Sequence, residues 1–396
     1  MALSIAVITL LGLFMHKMFR KLNLPGLLGL LLLGMLLGPF GLDLIDEMTL
    51  AISADLRKMA LIIILFRAGL GISRDNLNEV GTEALKISVV PCLLEGSLIT
   101  FLAMTWLNYP FLEAGMLGFI VAAVSPAVIV PAMLSLMEDK ERINQRIPTL
   151  ILAGASLDDV IAITFLSSFI GIFSGVSVSL IWQVGSVPIS IVTGLTLGGI
   201  TAMILLRLFD QYDIRHTKKA MMLVGAGIIL TAIEDVLQGI LPVAALLGVM
   251  FTGFLILERK PNVAGALADK LSKIWVLAEI LLFVMVGAAV NFSLALETGW
   301  WGLLLIFAGL SARSLGVLLS ITGKHYSKKE KVFCVIAYTP KATVQAATGA
   351  LPLAAGAVFG EEILALAVLA IVVTAPLGAI GIQWGKANLL KKEAYH

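Results

Sequence analysis

Residues 149–172 read TLILAGASLDDVIAITFLSSFIGI, an apolar stretch that is long enough to cross a lipid bilayer. Two adjacent aspartates, Asp158 and Asp159, stand about halfway along it. A charge at that depth costs about 2.5–3.5 kcal/mol on insertion scales, and it persists mainly where it handles ions or protons. Further charges recur at similar depth in other apolar stretches, at Glu95, Arg313 and Lys341. Five charges near the membrane midplane favour an ion-coupled transporter.

The composition of the whole chain agrees with a membrane-spanning fold. Of its 396 residues, 59% are hydrophobic and 14% are charged, and the mean hydropathy is +1.01. A soluble domain carries roughly 25% charged residues. Cys92 and Cys334 lie inside apolar segments and the four histidines are far apart, which favours neither a disulfide framework nor a metal site. The sequence therefore predicts an all-α polytopic membrane protein that is not an enzyme, with no cofactor, no nucleic-acid partner and no nucleotide-binding domain in the chain.

Apolar runs separated by short polar loops predict about thirteen transmembrane helices. These helices lie near residues 2–19, 25–42, 52–72, 84–107, 112–136, 149–172, 180–206, 219–236, 240–257, 272–292, 300–322, 331–355 and 362–386. Basic residues concentrate in alternate loops, which carry Lys17, Arg74, Lys140, Arg215, Lys260, Lys328 and Lys391. Positively charged loops stay in the cytoplasm, so the odd helix count places the N-terminus outside and the C-terminus inside a plasma (inner) membrane.

Two of the predicted helices are interrupted. Helix 5 contains AAVSPAVIVP with Pro126, and helix 12 contains AYTPKATVQAATG with Pro340. A proline inside a helix removes one backbone hydrogen bond and blocks another carbonyl, and unwound backbone is tolerated in a membrane only where it lines a buried or wet site. Because helix 12 lies seven helices after helix 5, the two run in opposite directions. The pattern predicts an inverted repeat with two crossing discontinuous helices, which point to a transporter's binding site.

The aspartate pair is the predicted ion site. Neighbouring residues point about 100° apart on a helix, so one aspartate can face the site while the other reaches a neighbouring helix. A carboxylate can bind either a proton or a hard cation through its oxygens, and their competition is the basis of exchange. Ser156, Ser125 and Thr343 are candidates for additional oxygen ligands, although membrane serines and threonines usually bond back to their own helix. The alternative is a structural pair that caps or cross-braces helices.

Lys341, Glu95 and Arg313 complete the set of midplane charges. Lys341 follows Pro340 in the helix 12 interruption, where it is expected to pair with Asp158 in the empty state and release it when a cation arrives. The alternative for Lys341 is a structural cation that compensates the negative ends of half-helix dipoles. Glu95 and Arg313 lie on helices 4 and 11. We expect a structural or gating salt bridge between them, because losing one partner would leave the other charge buried alone.

Six motifs occur in order along the chain. They are RAGLGI (67–72), PCLLEG (91–96), VSPAVIVP (124–131), ASLDD (155–159), the helix 11 arginine and YTPKATVQAATG (338–349). Together they resemble the NHA group of sodium/proton antiporters, in the monovalent cation:proton antiporter 2 superfamily. The chain looks like a bacterial relative of the animal NHA proteins, and the resemblance covers nearly its whole length.

The resemblance implies the thirteen-helix Nha-type inverted-repeat fold and a homodimer in the lipid bilayer. Residues 84–172 (helices 4–6) and 293–396 (helices 11–13 and a cytoplasmic tail) would form a core domain. Residues 1–83 (helices 1–3) and 219–292 (helices 8–10) would form a dimerisation domain, with residues 173–218 as the linker helix. The core would slide against the dimerisation domain in an elevator movement.

The resemblance also implies roles for individual residues. Asp159 matches the main sodium and proton ligand of the family, and Asp158 lies beside it as a second residue at the Na⁺ site. Glu95 and Arg313 match the family's buried ion pair, and Lys341 matches the lysine near the crossing. Some relatives carry a lysine on the helix that here carries Arg313, and there it is assigned a proton-coupling role. Arginine hardly deprotonates, so that role does not carry over directly and the stoichiometry stays open.

The expected function is exchange of Na⁺ or Li⁺ for H⁺ by alternating access. One alternative is a K⁺/H⁺ antiporter of the same superfamily, whose members often carry a C-terminal nucleotide-binding domain. Another is a sodium-coupled organic-anion symporter on a related fold, which needs a spacious substrate cavity and does not require an aspartate pair opposite a lysine. A channel is a third class, against which two half-helix crossings in one monomer argue.

Overall fold

The computed structural model describes the whole chain except residues 23, 25, 73, 139–144, 175–179, 238–240, 290–298, 323–325 and 391–396. Within the described residues the regular structure is α-helical and there is no strand. Two of the basic residues used above to orient the chain, Lys140 and Lys391, lie outside this part of it.

The helices α1–α17 follow one another along the chain. They span Ala2–Lys21 (α1), Gly26–Leu37 (α2), Glu47–Ala51 (α3), Ser53–Gly69 (α4), Arg74–Trp106 (α5), Phe111–Ala122 (α6), Pro126–Met137 (α7), Arg146–Phe173 (α8), Leu180–Gln211 (α9), His216–Leu237 (α10), Ala245–Arg259 (α11), Pro261–Ala288 (α12), Gly299–Ser320 (α13), Lys328–Ala337 (α14), Thr343–Thr348 (α15), Leu351–Ala354 (α16) and Gly360–Asn388 (α17). In the described parts of the chain, nine helical stretches are long and apolar enough to cross a membrane by length and composition. The other predicted spans correspond to the shorter α2, α4 and α11 and to the broken pair α14–α15, so each of the thirteen has its counterpart.

Two long helices begin well before the apolar runs that predict them. α5 begins at Arg74 and α12 at Pro261, whereas the apolar runs begin near residues 84 and 272. The added turns contain Glu, Ala, Leu and Lys, which favour a helix without being uniformly apolar. Pro261 stands at the start of α12, where its missing N–H has no helical partner to lose. Hydropathy alone therefore marks the membrane-depth part of these helices and misses their polar extensions.

The helices pack as two groups. In the first group α5 lies against α6, α8 and α13, and α17 lies against α7, α14 and α15. In the second group α12 lies against α1, α2 and α4, and α11 lies against α4, α9 and α10. The groups meet through α4 with α7, α8 with α9, and α8 with α11. In the second group α2 and α12 approach so closely that a Cβ on Gly34 would overlap the backbone carbonyl of Val284.

Two interruptions break helices of the first group. One covers residues 123–125, between α6 and α7, and the other covers residues 338–342, between α14 and α15. Pro126 is the first residue of α7, where proline's fixed φ suits a helix start. The Ser125 N–H donates to the Pro340 carbonyl at 2.8 Å. Because this bond joins the two interruptions, the broken helices cross each other inside the first group.

Candidate cation site

Charged side chains from four elements meet where the broken helices cross. α5 supplies Glu95, α8 supplies Asp158 and Asp159, α13 supplies Arg313, and the second interruption supplies Lys341. Glu95, Asp158 and Lys341 are fully buried, and Arg313 is 1% exposed. Asp159 lies within electrostatic range of Asp158, Arg313 and Lys341. The structure thus gathers the five midplane charges of the sequence into one charge cluster.

Asp158 is held by donors on both of its carboxylate oxygens. The Val124 N–H, in the first interruption, donates to Oδ2 at 2.9 Å. The Arg313 Nη1 donates to Oδ1 at 3.3 Å. A buried carboxylate is stable only when its charge is paired and its lone pairs are hydrogen-bonded. Asp158 therefore anchors α8 to the first interruption and to α13.

Glu95 contacts both cations of the charge cluster. Its Oε2 accepts from the Arg313 Nε in a short ion pair and from the Lys341 Nζ at 2.7 Å. The ion pair of Lys341 is thus with Glu95, and the pairing with Asp158 expected from the sequence is not the one that the structure has. The physical reason is that both carboxylate oxygens of Asp158 already accept hydrogen bonds, from Val124 and Arg313. The longer side chain of Glu95 reaches Lys341 as well as Arg313.

Asp159 differs from its neighbour because it has an oxygen to spare. Its side chain is half-buried, and its Oδ1 is buried without a hydrogen-bond partner among the described residues. With all groups ionised, the charge cluster holds three carboxylates against two cations. It is short of one positive charge, which a proton or a monovalent cation at Asp159 would supply. Burying an unpaired charge costs free energy, so binding a proton or a monovalent cation would stabilise Asp159.

The predicted hydroxyl ligands fall into two kinds. Ser125 and Thr343 lie on opposite sides of the crossing, with their hydroxyl oxygens 3.4 Å apart. Ser156 donates to the Leu152 carbonyl of its own helix at 3.0 Å, and its hydroxyl also lies 3.2 Å from the sulfur of Met250 on α11. The structure therefore brings Ser125 and Thr343 together at the crossing, while the Ser156 hydroxyl is engaged at the contact between the two helix groups.

The backbone carbonyls at the end of α6 are taken by side-chain donors. The last carbonyls of a helix have no partner within it. Gln345 Nε2 donates to the carbonyls of Ile120 and Ala123, each at 2.8 Å. The Ala122 carbonyl accepts from Lys341 Nζ at 3.2 Å and from the guanidinium of Arg313. Side-chain donors therefore hold the carbonyls of Ile120, Ala122 and Ala123 at the crossing.

Three residues of this site were not predicted from the sequence. Gln345 is 1% exposed, Thr374 accepts from the Lys341 N–H at 2.9 Å, and Tyr338 is fully buried with the Arg313 guanidinium 5.9 Å from its ring centre. The Tyr338 hydroxyl has no hydrogen-bond partner within the described part of the chain. The available signal was a polar side chain inside an apolar predicted helix, which marks Gln345 and Tyr338 in the quoted helix 12 segment.

Side chains of the types that bind metals do not form a cluster in the part of the chain that the structure describes. This part contains no group of three or more histidine, cysteine, aspartate or glutamate side chains that could hold a metal ion. The five charges balance all but one carboxylate among themselves.

A helical membrane fold with two crossing broken helices and a spare buried carboxylate at the crossing defines a secondary cation transporter. The chain belongs to the sodium/hydrogen exchanger family: the family model described as "Sodium/hydrogen exchanger, transmembrane" matches residues 5–385. Its proteins are transporters and not enzymes. The family resemblance stated from the sequence motifs is thereby confirmed.

Individual relatives agree with this membership. The chain is 33% identical over 375 residues to sodium/hydrogen exchanger 9B1 of Macaca fascicularis, covering 88% of this chain and 71% of that protein. It is 31% identical over 392 residues to sodium/hydrogen exchanger 9B2 of Mus musculus, covering 94% and 70%. The solved structure of the sodium proton antiporter MjNhaP1 from Methanocaldococcus jannaschii superposes with a TM-score of 0.80 at 22% identity, covering 98% of each chain. That likeness confirms the fold.

Proposed function

We propose that this protein exchanges Na⁺ or Li⁺ for H⁺ across the membrane by alternating access, with Asp159 as the carboxylate that both ions share. The observation that carries the proposal is the buried, unpartnered Asp159 Oδ1 in a charge cluster that lacks one positive charge. The names of the relatives and the family model, all sodium/hydrogen exchangers, support the choice of ions.

Binding at this site is exclusive. A proton on Asp159 removes the negative charge that would attract a cation, and a cation on Asp159 removes the charge that would attract a proton. Asp158 cannot easily replace it, because its two oxygens already accept from Val124 and Arg313. Ser125 and Thr343 lie at the crossing and would add hydroxyl oxygens around the ion, since Na⁺ and Li⁺ prefer oxygen ligands. Either ion makes the cluster neutral, and the neutral cluster is the form that crosses the membrane.

The two packing groups support an elevator movement. All five charges lie on the first group, α5–α8 and α13–α17, so the site can travel with that group as a unit. We assign residues 84–172 and 293–396 to the moving core domain and residues 1–83 and 219–292 to a dimerisation domain, joined by residues 173–218. The start of α5, from Arg74, lies before the boundary at residue 84 and moves with the core as part of that helix. The core slides against the dimerisation domain of a homodimer in the plasma membrane. The N-terminus lies outside and the C-terminus lies in the cytoplasm, as positively charged cytoplasmic loops require.

Competition is the property to test. Purified protein in proteoliposomes would be given Na⁺, Li⁺ or K⁺ at several pH values, with exchange followed by a pH-sensitive dye. The proposal expects the apparent KM for Na⁺ to rise steadily as the pH falls, with little change in the maximal rate. A KM that is independent of pH would refute a shared carboxylate, and a response to K⁺ alone would identify a K⁺/H⁺ antiporter.

A further inference from the structure

We propose that Gln345 is a specificity-determining positioning residue, which keeps the backbone carbonyls of the α6 end away from the transported cation. The inference rests on the proposed function, because it concerns which cation the same site accepts. Gln345 lies in α15 immediately beyond the crossing and is 1% exposed. It touches neither Asp158 nor Asp159 by hydrogen bond, so it acts through the backbone that it holds.

Both N–H donors of the Gln345 side-chain amide form hydrogen bonds. A glutamine NH₂ group has two N–H donors. In this structure they go to the carbonyls of Ile120 and Ala123, each 2.8 Å from Nε2. The orientation of the amide is fixed by these contacts, since the reverse orientation would place its oxygen against two carbonyl oxygens. Gln345 therefore caps the C-terminal end of α6 and ties α15 to the first interruption.

The other carbonyl at this end of α6 is closed by the charge cluster. The Ala122 carbonyl accepts from Lys341 and Arg313. Between them, three side chains cover the carbonyls of Ile120, Ala122 and Ala123. Among the described residues, the carboxylate oxygens of the cluster that keep no hydrogen-bond partner are Asp159 Oδ1 and Glu95 Oε1, and the hydroxyls of Ser125 and Thr343 lie at the crossing.

This division of oxygens bears on cation choice. Sites lined with several backbone carbonyls suit K⁺, which gives up its water shell for carbonyl dipoles. A site of carboxylate oxygens and a few hydroxyls offers fewer but more strongly charged oxygens, which favours the compact Na⁺ and Li⁺. By hydrogen-bonding the carbonyls of Ile120 and Ala123, Gln345 keeps them from binding the cation, so that the site consists of carboxylate and hydroxyl oxygens.

The amide oxygen of Gln345 shows that this residue is not there for packing alone. Oε1 is buried and has no hydrogen-bond partner within the described residues. A buried polar atom without a partner is unfavourable. An apolar side chain of the same length would avoid that cost but would release the carbonyls of Ile120 and Ala123. The presence of glutamine here is explained if the two donors are what the site needs.

The test replaces Gln345 with methionine, which has a similar length and no N–H donor. Apparent KM values for Na⁺, Li⁺ and K⁺ would be measured for wild type, Q345M and Q345H in proteoliposomes, together with the rise in thermal unfolding temperature that each cation produces. T348V is the matched control, because the Thr348 hydroxyl is buried in the same helix and, among the described residues, donates to the Val344 carbonyl of that helix.

We expect Q345M to lower the ratio of the K⁺ KM to the Na⁺ KM by roughly three- to tenfold, a change of the size that the free energy of a typical single hydrogen bond gives. Q345H keeps a ring N–H donor, so the ratio of the K⁺ KM to the Na⁺ KM should change less than in Q345M. If Q345M does not fold, the ratio measured for Q345H tests the role of Gln345. T348V should keep the wild-type ratio. Folded Q345M or Q345H with the wild-type ratio, whatever its maximal rate, would overturn the role of Gln345. A wild type that does not exchange Na⁺ would instead overturn the proposed function.

Discussion

Arg313 organises the site at the scale of single residues. Its guanidinium contacts Glu95, Asp158 and the Ala122 carbonyl, and so connects α5, α8 and α6. A guanidinium has five N–H donors in a fixed plane, which suits several acceptors at once. Arg313 forms ion pairs with Glu95 and Asp158, although the Glu95 Oε1 has no hydrogen-bond partner among the described residues. Asp159 is the carboxylate of the cluster that has no ion pair in the described structure, so we expect exchange to take place there.

Tyr338 provides a prediction about a buried hydroxyl. Replacing Tyr338 with Phe removes an oxygen that has no partner in the described structure, so the unfolding free energy should stay the same or rise by up to about 1–3 kcal/mol. Tyr109 is the matched comparison, since its hydroxyl donates to Glu362 at 2.7 Å. Tyr109→Phe should lose about 0.5–1.5 kcal/mol. Unfolding of both variants in detergent checks this, and equal losses would contradict it.

Tyr326 provides a pH prediction outside the membrane. It lies in the connection between α13 and α14, where burial and its hydrogen bond to Glu83 at 2.6 Å raise the pKa of its phenol. A raised phenol pKa means that the native state holds the proton more tightly than the unfolded chain does. The stabilisation is therefore complete below the usual tyrosine pKa of about 10 and is lost as the pH rises through the native value.

The measurement for Tyr326 is thermal unfolding between neutral and strongly alkaline pH. Tyr326→Phe should be less stable than wild type by about 0.5–1.5 kcal/mol at neutral pH, because Glu83 loses a donor. The difference should shrink at alkaline pH, where the wild-type phenol ionises. A difference that grows with pH would show that the hydroxyl is not acting as a donor.

At the scale of elements, the interrupted helices are positioned by polar groups and the other helices by small residues. The crossing depends on Ser125, Gln345 and the charge cluster, whereas α2 and α12 meet at Gly34 and Gly287. The first kind of contact can rearrange because its hydrogen bonds can exchange partners. The second is a rigid packing of backbones, which suits a stationary support.

The packing of α2 on α12 can be tested with alanine. Gly34→Ala puts a Cβ into the backbone of α12 and should lower the unfolding free energy by about 1–3 kcal/mol. Gly265→Ala is the matched control, because a Cβ there meets nothing within 4 Å and alanine favours a helix by about 0.5–1 kcal/mol. Thermal unfolding compares them. A Gly34→Ala protein as stable as Gly265→Ala would show that the helices can separate without cost.

The sequence alone predicts the membrane spans and the most unusual residues of the site. Asp158, Asp159, Pro126 and Pro340 could be picked out because charges and prolines are rare at membrane depth. The thirteen spans followed from hydropathy, except for the polar extensions of α5 from Arg74 and of α12 from Pro261, which a hydropathy argument does not detect.

The ion-pair and hydrogen-bond partners of the site residues could not be predicted from the sequence. Lys341 pairs with Glu95 and not with Asp158, because the choice depends on which carboxylate is already occupied in three dimensions. Gln345 was not predicted because no sequence pattern marks a side chain that donates to backbone carbonyls of a distant helix. Such contacts need the crossing geometry, which joins segments more than two hundred positions apart.

At the scale of the whole molecule, the proposed sliding of the two helix groups can be tested by locking them. The Ser156 hydroxyl lies 3.2 Å from the Met250 sulfur, across the contact between α8 and α11. With Cys92 and Cys334 replaced, a Ser156→Cys/Met250→Cys pair should crosslink through a short bis-thiol reagent. Exchange should stop on crosslinking, and each single-cysteine protein treated alike should keep its own rate. Full exchange by the crosslinked protein would exclude movement at this contact.

The central claim is that Asp159 is the shared carboxylate, and Asp159→Asn tests it most directly. Proton flux driven by a Na⁺ gradient would be followed by a pH-sensitive dye in proteoliposomes of wild type, Asp159→Asn and Asp269→Asn, whose aspartate is exposed on α12. The dye reports exchange whether or not net charge moves. We expect flux in wild type and Asp269→Asn and none in folded Asp159→Asn. Wild-type flux in Asp159→Asn would contradict the account.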